Sequence, residues 1–217
     1  MIEGIELSID REAVVVKSAR PLNACSSAVV RGGLVDARAI VNLHVPKNHS
    51  CADPSGMLTA FVRRAAVPEP YVGLLTSAWT EHAVVAEASG SGMAALAVVT
   101  VGLSNRAAAG RVPVLEWIPD TINTIVVVDA DAEPAALVNA IITATEIKVL
   151  ALGEAGIRDA EGLAVSGTFT DAVVVAATGR GPRARFGGPA SELGWTAGQA
   201  VREALMRGVQ QWKERNP

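Results

Sequence analysis

An α+β domain with a mixed, mostly antiparallel sheet and helices packed on it is what the sequence predicts, on three observations. Short β-rich runs separated by two-residue turns fill the N-terminal quarter. A strand–helix unit follows near the middle, and an amphipathic helix closes the chain. The 217 residues suffice for one domain with a sizeable core, and no linker, solenoid repeat or low-complexity tail divides residues 1–217.

The elements are justified in order. Ile5–Ile9, Ala13–Lys17, Leu22–Arg31 and Arg38–Val45 read as strands, with turns at Asp10-Arg11, Arg20-Pro21 and Gly32-Gly33. Connections this short favour antiparallel pairing, because a parallel crossover needs a dozen or more residues. Asp53-Pro54 opens a helix through Leu58, Phe61 and Val62 that ends before Pro68. Val72–Ser77, His82–Ala88 and Met93–Gly102 read as strands, the last two joined by a hairpin at Ser89–Gly92.

Ile122–Val128 is a β-branched run that fits a buried strand. Asp131, Glu133 and Pro134 then supply helix-start chemistry for a helix to about Leu152, with Gly153 and Gly156 suited to its end. This helix is apolar nearly all round, which predicts a buried element. Asn139, Thr143 and Glu146 share one face at helical spacing, so they form either a solvent stripe or the lining of a cavity. Asp171–Ala177 is a further buried strand, Gly179–Gly188 a basic loop with Arg180, Arg183 and Arg185, and Ser191–Trp212 the closing helix.

Composition excludes several functions. A net charge of −3 gives no reason to expect nucleic acid or an anionic membrane as partner. The uncharged span 88–105 is too rich in Gly and Ser for a transmembrane helix. Two unpaired cysteines and no leader point to a reduced, cytoplasmic protein. There is no Walker loop, zinc-protease helix or Gly-x-Ser-x-Gly elbow. His44, His49, Cys51 and Asp53 lie close together but match no metal spacing, so no metal is assigned.

Polar, uncharged residues at strand ends are more informative. Cys25-Ser26-Ser27, Asn42-Leu43-His44, the Thr100–Asn105 stretch, Thr121-Ile122-Asn123, Thr143–Glu146 and Gly167–Asp171 all sit at predicted edges or turns, where they could converge on a cleft. Each could alternatively serve only as turn or cap chemistry.

On these residues the chain resembles the adenosylcobinamide amidohydrolase family. The resemblance rests on Ser26-Ser27-Ala28 followed by Gly32-Gly33, on VTVGLSNRA at Val99–Ala107, and on Thr121-Ile122-Asn123. It rests further on ITATEIKVLAL at Ile142–Leu152 and SGTFTDAVVVA at Ser166–Ala176. Phe169 and Ile147 are larger than the residues expected at their places in those motifs.

The resemblance implies an enzyme of cobalamin salvage that cleaves the amide between cobyric acid and aminopropanol in adenosylcobinamide. Its partner would be a small-molecule corrinoid that carries its own cobalt, so no cofactor is assigned. A non-catalytic corrinoid-binding module is the alternative, and the small-residue core would also suit contacts in a homo-oligomer. A corrin rim is studded with neutral amides, which call for Asn, Ser, Thr and backbone groups. Glu146 and Asp171 are candidate general bases, toward water or toward Thr168 or Thr170, with Asn123 or Asn105 helping the oxyanion. Ser26, Ser27, Asn42, His44, Asn105, Thr143 and Thr170 are candidate substrate contacts. Trp79, Trp117 and Trp195 could stack on corrin or adenine. Glu146 is favoured as the base, and Lys148, on the other side of the helix, as a structural residue.

Overall fold

A computed structural model describes residues 2–47, 53–112 and 120–216. Its main sheet has eight strands: β1 (Ile5–Ile9), β2 (Ala13–Ser26), β3 (Gly33–His44), β4 (Tyr71–Thr76), β5 (Val84–Gly90), β6 (Met93–Val101), β8 (Ile122–Val128) and β11 (Ala172–Ala177). The order is β4-β3-β2-β11-β8-β6-β5, with β1 on β2. Within this sheet, among the described residues, only β3–β4 and β8–β11 pair in parallel, so it is mixed and mostly antiparallel. Two ribbons lie outside it: β7 (Arg106–Ala107) with β10 (Gly167–Thr168), and β9 (Asp131–Ala132) with β12 (Arg183–Ala184). The helices are α1 (Pro54–Arg64), α2 (Pro134–Glu154) and α3 (Glu192–Arg215).

The turn expected at Arg20-Pro21 is not one. A single strand runs from Ala13 to Ser26, and its pairing with β3 is irregular between Lys17 and Leu22. Proline has no N–H for a ladder, so it is tolerated where the ladder is already broken. The irregularity divides β2 into two paired halves. Val14–Ser18 pairs with β1, and Asn23–Ser26 pairs with β11.

The sheet then packs on itself. Val14, Ile40 and Leu74 from one half join Leu96, Ile125 and Val174 from the other in one buried cluster. The outer face of the first half, through Val15, Val41 and Leu43, is covered by Leu58, Phe61 and Val62 of α1. The outer face of the second half, through Val99, Val126 and Val175, is covered by α2 and α3. The result is four layers, helix–sheet–sheet–helix.

Helix α1 starts as its sequence predicts, with Asp53 accepting from the Gly56 N–H (2.8 Å) and Pro54 at the first position. His82, expected to begin a strand, instead ends a 3₁₀ turn at Thr80–His82. The expectation of an all-round buried α2 fails. Leu137, Ala140, Ala144 and Leu152 are buried, but Val138, Ile142, Val149 and Leu150 are exposed. By length and composition α2 could cross a membrane; here one of its faces packs on the sheet and on α3.

Candidate functional site

Four strand ends meet at one edge of the sandwich. β6 ends at Val101 opposite Ile122 of β8, and β11 begins in parallel beside it at Ala172. The inward-facing alternation that buries Ile40, Val98 and Ile125 continues into Asn42, Thr100 and Asn123. The apolar interlayer thus turns polar at this end, and its polar groups are paired with one another. Asn42 Nδ2 donates to Thr100 Oγ1 (3.0 Å), and Asn123 Nδ2 donates to Asn42 Oδ1 (2.8 Å) and to the Leu75 carbonyl (2.9 Å). The Thr121 hydroxyl donates to Asn123 Oδ1 (3.1 Å).

The chain of bonds leads to Asp171. Its Oδ1 accepts from the Ile122 N–H (2.9 Å) and from the Thr168 hydroxyl. Its Oδ2 accepts from the Thr168 N–H (3.0 Å) and from the Lys148 ammonium. Both members of the ion pair are 9% exposed, so they are held by each other and by hydrogen bonds rather than by water. Gly167 is required here. A Cβ on it would lie 2.0 Å from Asp171 Oδ2 and 2.6 Å from Lys148 Nζ.

Beside this network opens a cavity of about 430 Å³ whose lining includes Lys47, Ser77, Trp79, Asp120, Trp212 and Arg215. Asp120 is 2% exposed. Its Oδ2 accepts from the Ser104 N–H (2.7 Å), Lys47 Nζ stands 3.6 Å away, and Ser77 Oγ lies 3.5 Å from Oδ1. His44 Nδ1 lies 3.1 Å from the Ala78 carbonyl, which can only accept, so that nitrogen carries the hydrogen. The imidazole stacks on Trp79 with centroids 4.5 Å apart and planes 16° from parallel. The cavity and the network are joined through Trp212, over which the Arg106 guanidinium sits at 6.0 Å, Arg106 being the ladder partner of Thr168.

The expected site residues divide accordingly. Asp171, Thr168, Asn123 and Asn42 are brought together. His44 stands at the cavity. Thr170, next to Asp171, has a buried hydroxyl with no hydrogen-bond partner among the described residues. Asn105 is buried beside Arg106. Both amide hydrogens of Asn123 are committed, to Asn42 and to the Leu75 carbonyl, which leaves it none to offer an oxyanion.

Glu146 is not in the group: its side chain is on the solvent face of α2. The reading of Asn139, Thr143 and Glu146 as a cavity lining is therefore corrected. Asn139 is half-buried, and the buried Thr143 hydroxyl donates to the Gly187 carbonyl (2.9 Å), tying α2 to the loop before α3. Lys148 and Glu146 are about 200° apart on a helix, and Lys148 faces inward. Ser27 Oγ accepts from the Val173 N–H (3.0 Å) and Ser26 Oγ from the Ala28 N–H (3.4 Å), so both serve the backbone where β2 ends.

Among the described residues no three or more His, Cys, Asp and Glu side chains are grouped to hold a metal ion. His49, Cys51 and Trp117 lie outside the described residues. Cys25 is buried, and burial pushes its thiol pKa up, away from nucleophilic use. Trp195, at the start of α3, is exposed and lines no part of this cavity. The basic loop is occupied by ion pairs, Arg180 with Asp129 (3.2 Å) and Arg183 with Glu133 (3.1 Å). Asp120, Lys47 and Ser77 escaped sequence reasoning, although the Thr121-Ile122-Asn123 and VTVGLSNRA motifs lie beside them.

A hydroxyl, a carboxylate and an ammonium in hydrogen-bond sequence beside a polar cavity are the equipment of a hydrolytic enzyme. The chain belongs to the adenosylcobinamide amidohydrolase family, whose model matches residues 1–217. A relative from Methanosarcina mazei, named adenosylcobinamide amidohydrolase, is 32% identical over 196 residues, which are 84% of this chain and 86% of the relative. Among solved structures, the chain is similar to the PH0078 protein from Pyrococcus horikoshii OT3 (TM-score 0.47, 12% identity, 97% of this chain and 80% of that one). It is also similar to a β-aminopeptidase from Burkholderia sp. (TM-score 0.47, 16% identity, 93% and 79%).

Proposed function

We propose that this chain hydrolyses the amide between cobyric acid and aminopropanol in adenosylcobinamide, releasing adenosylcobyric acid for cobalamin salvage. Family membership supports the reaction, and a polar end built of Asn, Thr and Ser suits the neutral amides of a corrin rim. The observation that carries the mechanism is the Thr168 hydroxyl donating to Asp171, whose other oxygen is held by Lys148.

In the proposed sequence Thr168 Oγ attacks the amide carbon while its proton passes to Asp171. Lys148 fixes the carboxylate and keeps it aimed at Thr168. In this reading the Thr170 hydroxyl, which has no partner among the described residues, supplies the donor to the oxyanion. The tetrahedral intermediate expels aminopropanol, whose nitrogen takes the proton from Asp171, and water then cleaves the ester and restores Thr168. The cobalt travels with the substrate, and these steps use no further cofactor. The reaction is assigned to the cytoplasm, on a small-molecule corrinoid with no nucleic acid or membrane as partner.

The dense bonding of Asp171 favours a second reading, a corrinoid-binding module whose network only holds the fold. Incubation with adenosylcobinamide separates the two. The enzyme yields adenosylcobyric acid; a binder shifts the visible bands without product. Thr168→Ala is expected to lower kcat on the order of 10³-fold, with Thr168→Ser retaining much of it. Full turnover by folded Thr168→Ala would remove it as the nucleophile.

A further inference from the structure

We infer that the cavity at Trp79 and Asp120 is a nucleoside subsite, which seats the adenosyl ligand of the substrate. The inference takes its ligand from the proposed function; the site itself stands on the cavity's own chemistry. Trp79 is 55% exposed. A large ring left in water is usually free to turn, but this one is fixed by its stack on His44, whose own ring is held by the Ala78 carbonyl. One face of the indole is thus committed to histidine, and the pair presents a rigid flat surface at the cavity. Such a surface takes a planar heterocycle, since every base has a π-face to stack.

The second element is a carboxylate. Asp120 is buried at the cavity wall, and its hydrogen bonds are unevenly shared. Among the described residues, Oδ2 accepts from the Ser104 N–H at 2.7 Å and has Lys47 Nζ 3.6 Å away, whereas Oδ1 has only the long 3.5 Å contact from Ser77. Oδ1 therefore keeps acceptor capacity at the cavity wall. A vicinal diol answers that need with two O–H donors, as carboxylates bind ribose in dinucleotide folds. Gly102 is what lets the carboxylate sit there, because a Cβ would lie 1.8 Å from Asp120 Oδ1.

Size and position agree. About 430 Å³ admits a nucleoside and is small for a whole corrinoid, so the macrocycle would rest outside the mouth. Asp120 is two residues before Ile122, whose N–H binds Asp171, and two extended residues span about 7 Å. A single large substrate can therefore meet both places at once. The cavity would then distinguish adenosylated from non-adenosylated cobinamides.

Calorimetric titration with 5′-deoxyadenosine and with adenine tests this without any turnover. Wild type is expected to bind both. Trp79→Ala should weaken both about tenfold, and Trp79→Phe should recover most of the loss. Asp120→Asn should weaken 5′-deoxyadenosine and leave adenine unchanged. Trp79 is exposed, so its variants are expected to keep the wild-type melting temperature, and they decide the matter if Asp120→Asn does not fold. Unchanged 5′-deoxyadenosine affinity in folded Trp79→Ala, or no binding by wild type, overturns the subsite. A protein that cleaves adenosylcobinamide but binds no 5′-deoxyadenosine loses the subsite alone; one that binds it without cleaving loses the proposed reaction alone.

Discussion

Asp171 and Asp120 are two carboxylates sunk into the same end of the same sheet, and each is pressed against a glycine. They differ in what surrounds them. Asp171 accepts from two backbone N–H groups, a hydroxyl and an ammonium, which saturates both its oxygens. Among the described residues, Asp120 has one short bond, an ammonium no nearer than 3.6 Å and a cavity in front of it. A saturated carboxylate is rigid, and the groups that saturate it are aimed as firmly as it is. An undersaturated one beside open volume is a place for a ligand's donors. On the proposed reading, the comparison separates a reacting group, held ready, from a recognition group, left wanting.

The strongest way to break this comparison is to remove the cation from the saturated side. Lys148→Met leaves Asp171 buried without its counter-charge, which costs about 3–5 kcal/mol where one partner of a buried pair is deleted. The expected outcome is a large fall in the urea midpoint, together with loss of turnover because Thr168 is no longer aimed. If Lys148→Met keeps wild-type stability, the pair is not the anchor described here. The Asp120 side should respond differently: Trp79→Ala changes ligand affinity with little effect on stability.

A smaller effect sharpens the same contrast along the polar chain that leads to Asp171. Asn42→Ala strips Asn123 of an acceptor and Thr100 of a donor, a loss of about 1–3 kcal/mol for buried groups left unsatisfied. Asn123→Ala should cost a similar amount. Because the two side chains bond directly, the double variant should fall short of the sum by about 0.5–3 kcal/mol. Simple additivity in urea unfolding would show that the chain of amides does not act as a unit.

How much of this was legible follows from the physics of each element. Ile122–Val128 was readable to the residue, because a β-branched run buried on both faces has few other uses. The turn placed at Arg20-Pro21 was misread, since an irregularity inside a long strand uses the same residues as a turn. Asp171 and Thr168 were legible because their contact is local, three residues apart. Asp120 was not, because its partners come from Ser77 just after β4, from the loop after β6 and from Lys47, and no local pattern records such meetings.

Helix α2 shows the limit most clearly, and its test has the smallest expected effect. Periodicity separated Glu146 from Lys148 by about 200°, and that relation holds. It could not say which side faces inward, because leucines, valines and isoleucines occur all round the helix and the one polar stripe, Asn139, Thr143 and Glu146, suits solvent as well as a cavity. Only packing against β11, β10 and α3 decides, and it turns Lys148 in and Glu146 out. Glu146→Gln should therefore change stability by no more than about 0.5 kcal/mol, as for an ordinary surface site. Its kcat/KM for adenosylcobinamide should stay within about twofold of wild type, since no charge near the reacting atoms is altered. A steep fall in kcat with unchanged folding would return Glu146 to the role of general base and would mean that α2 presents its other face to the substrate.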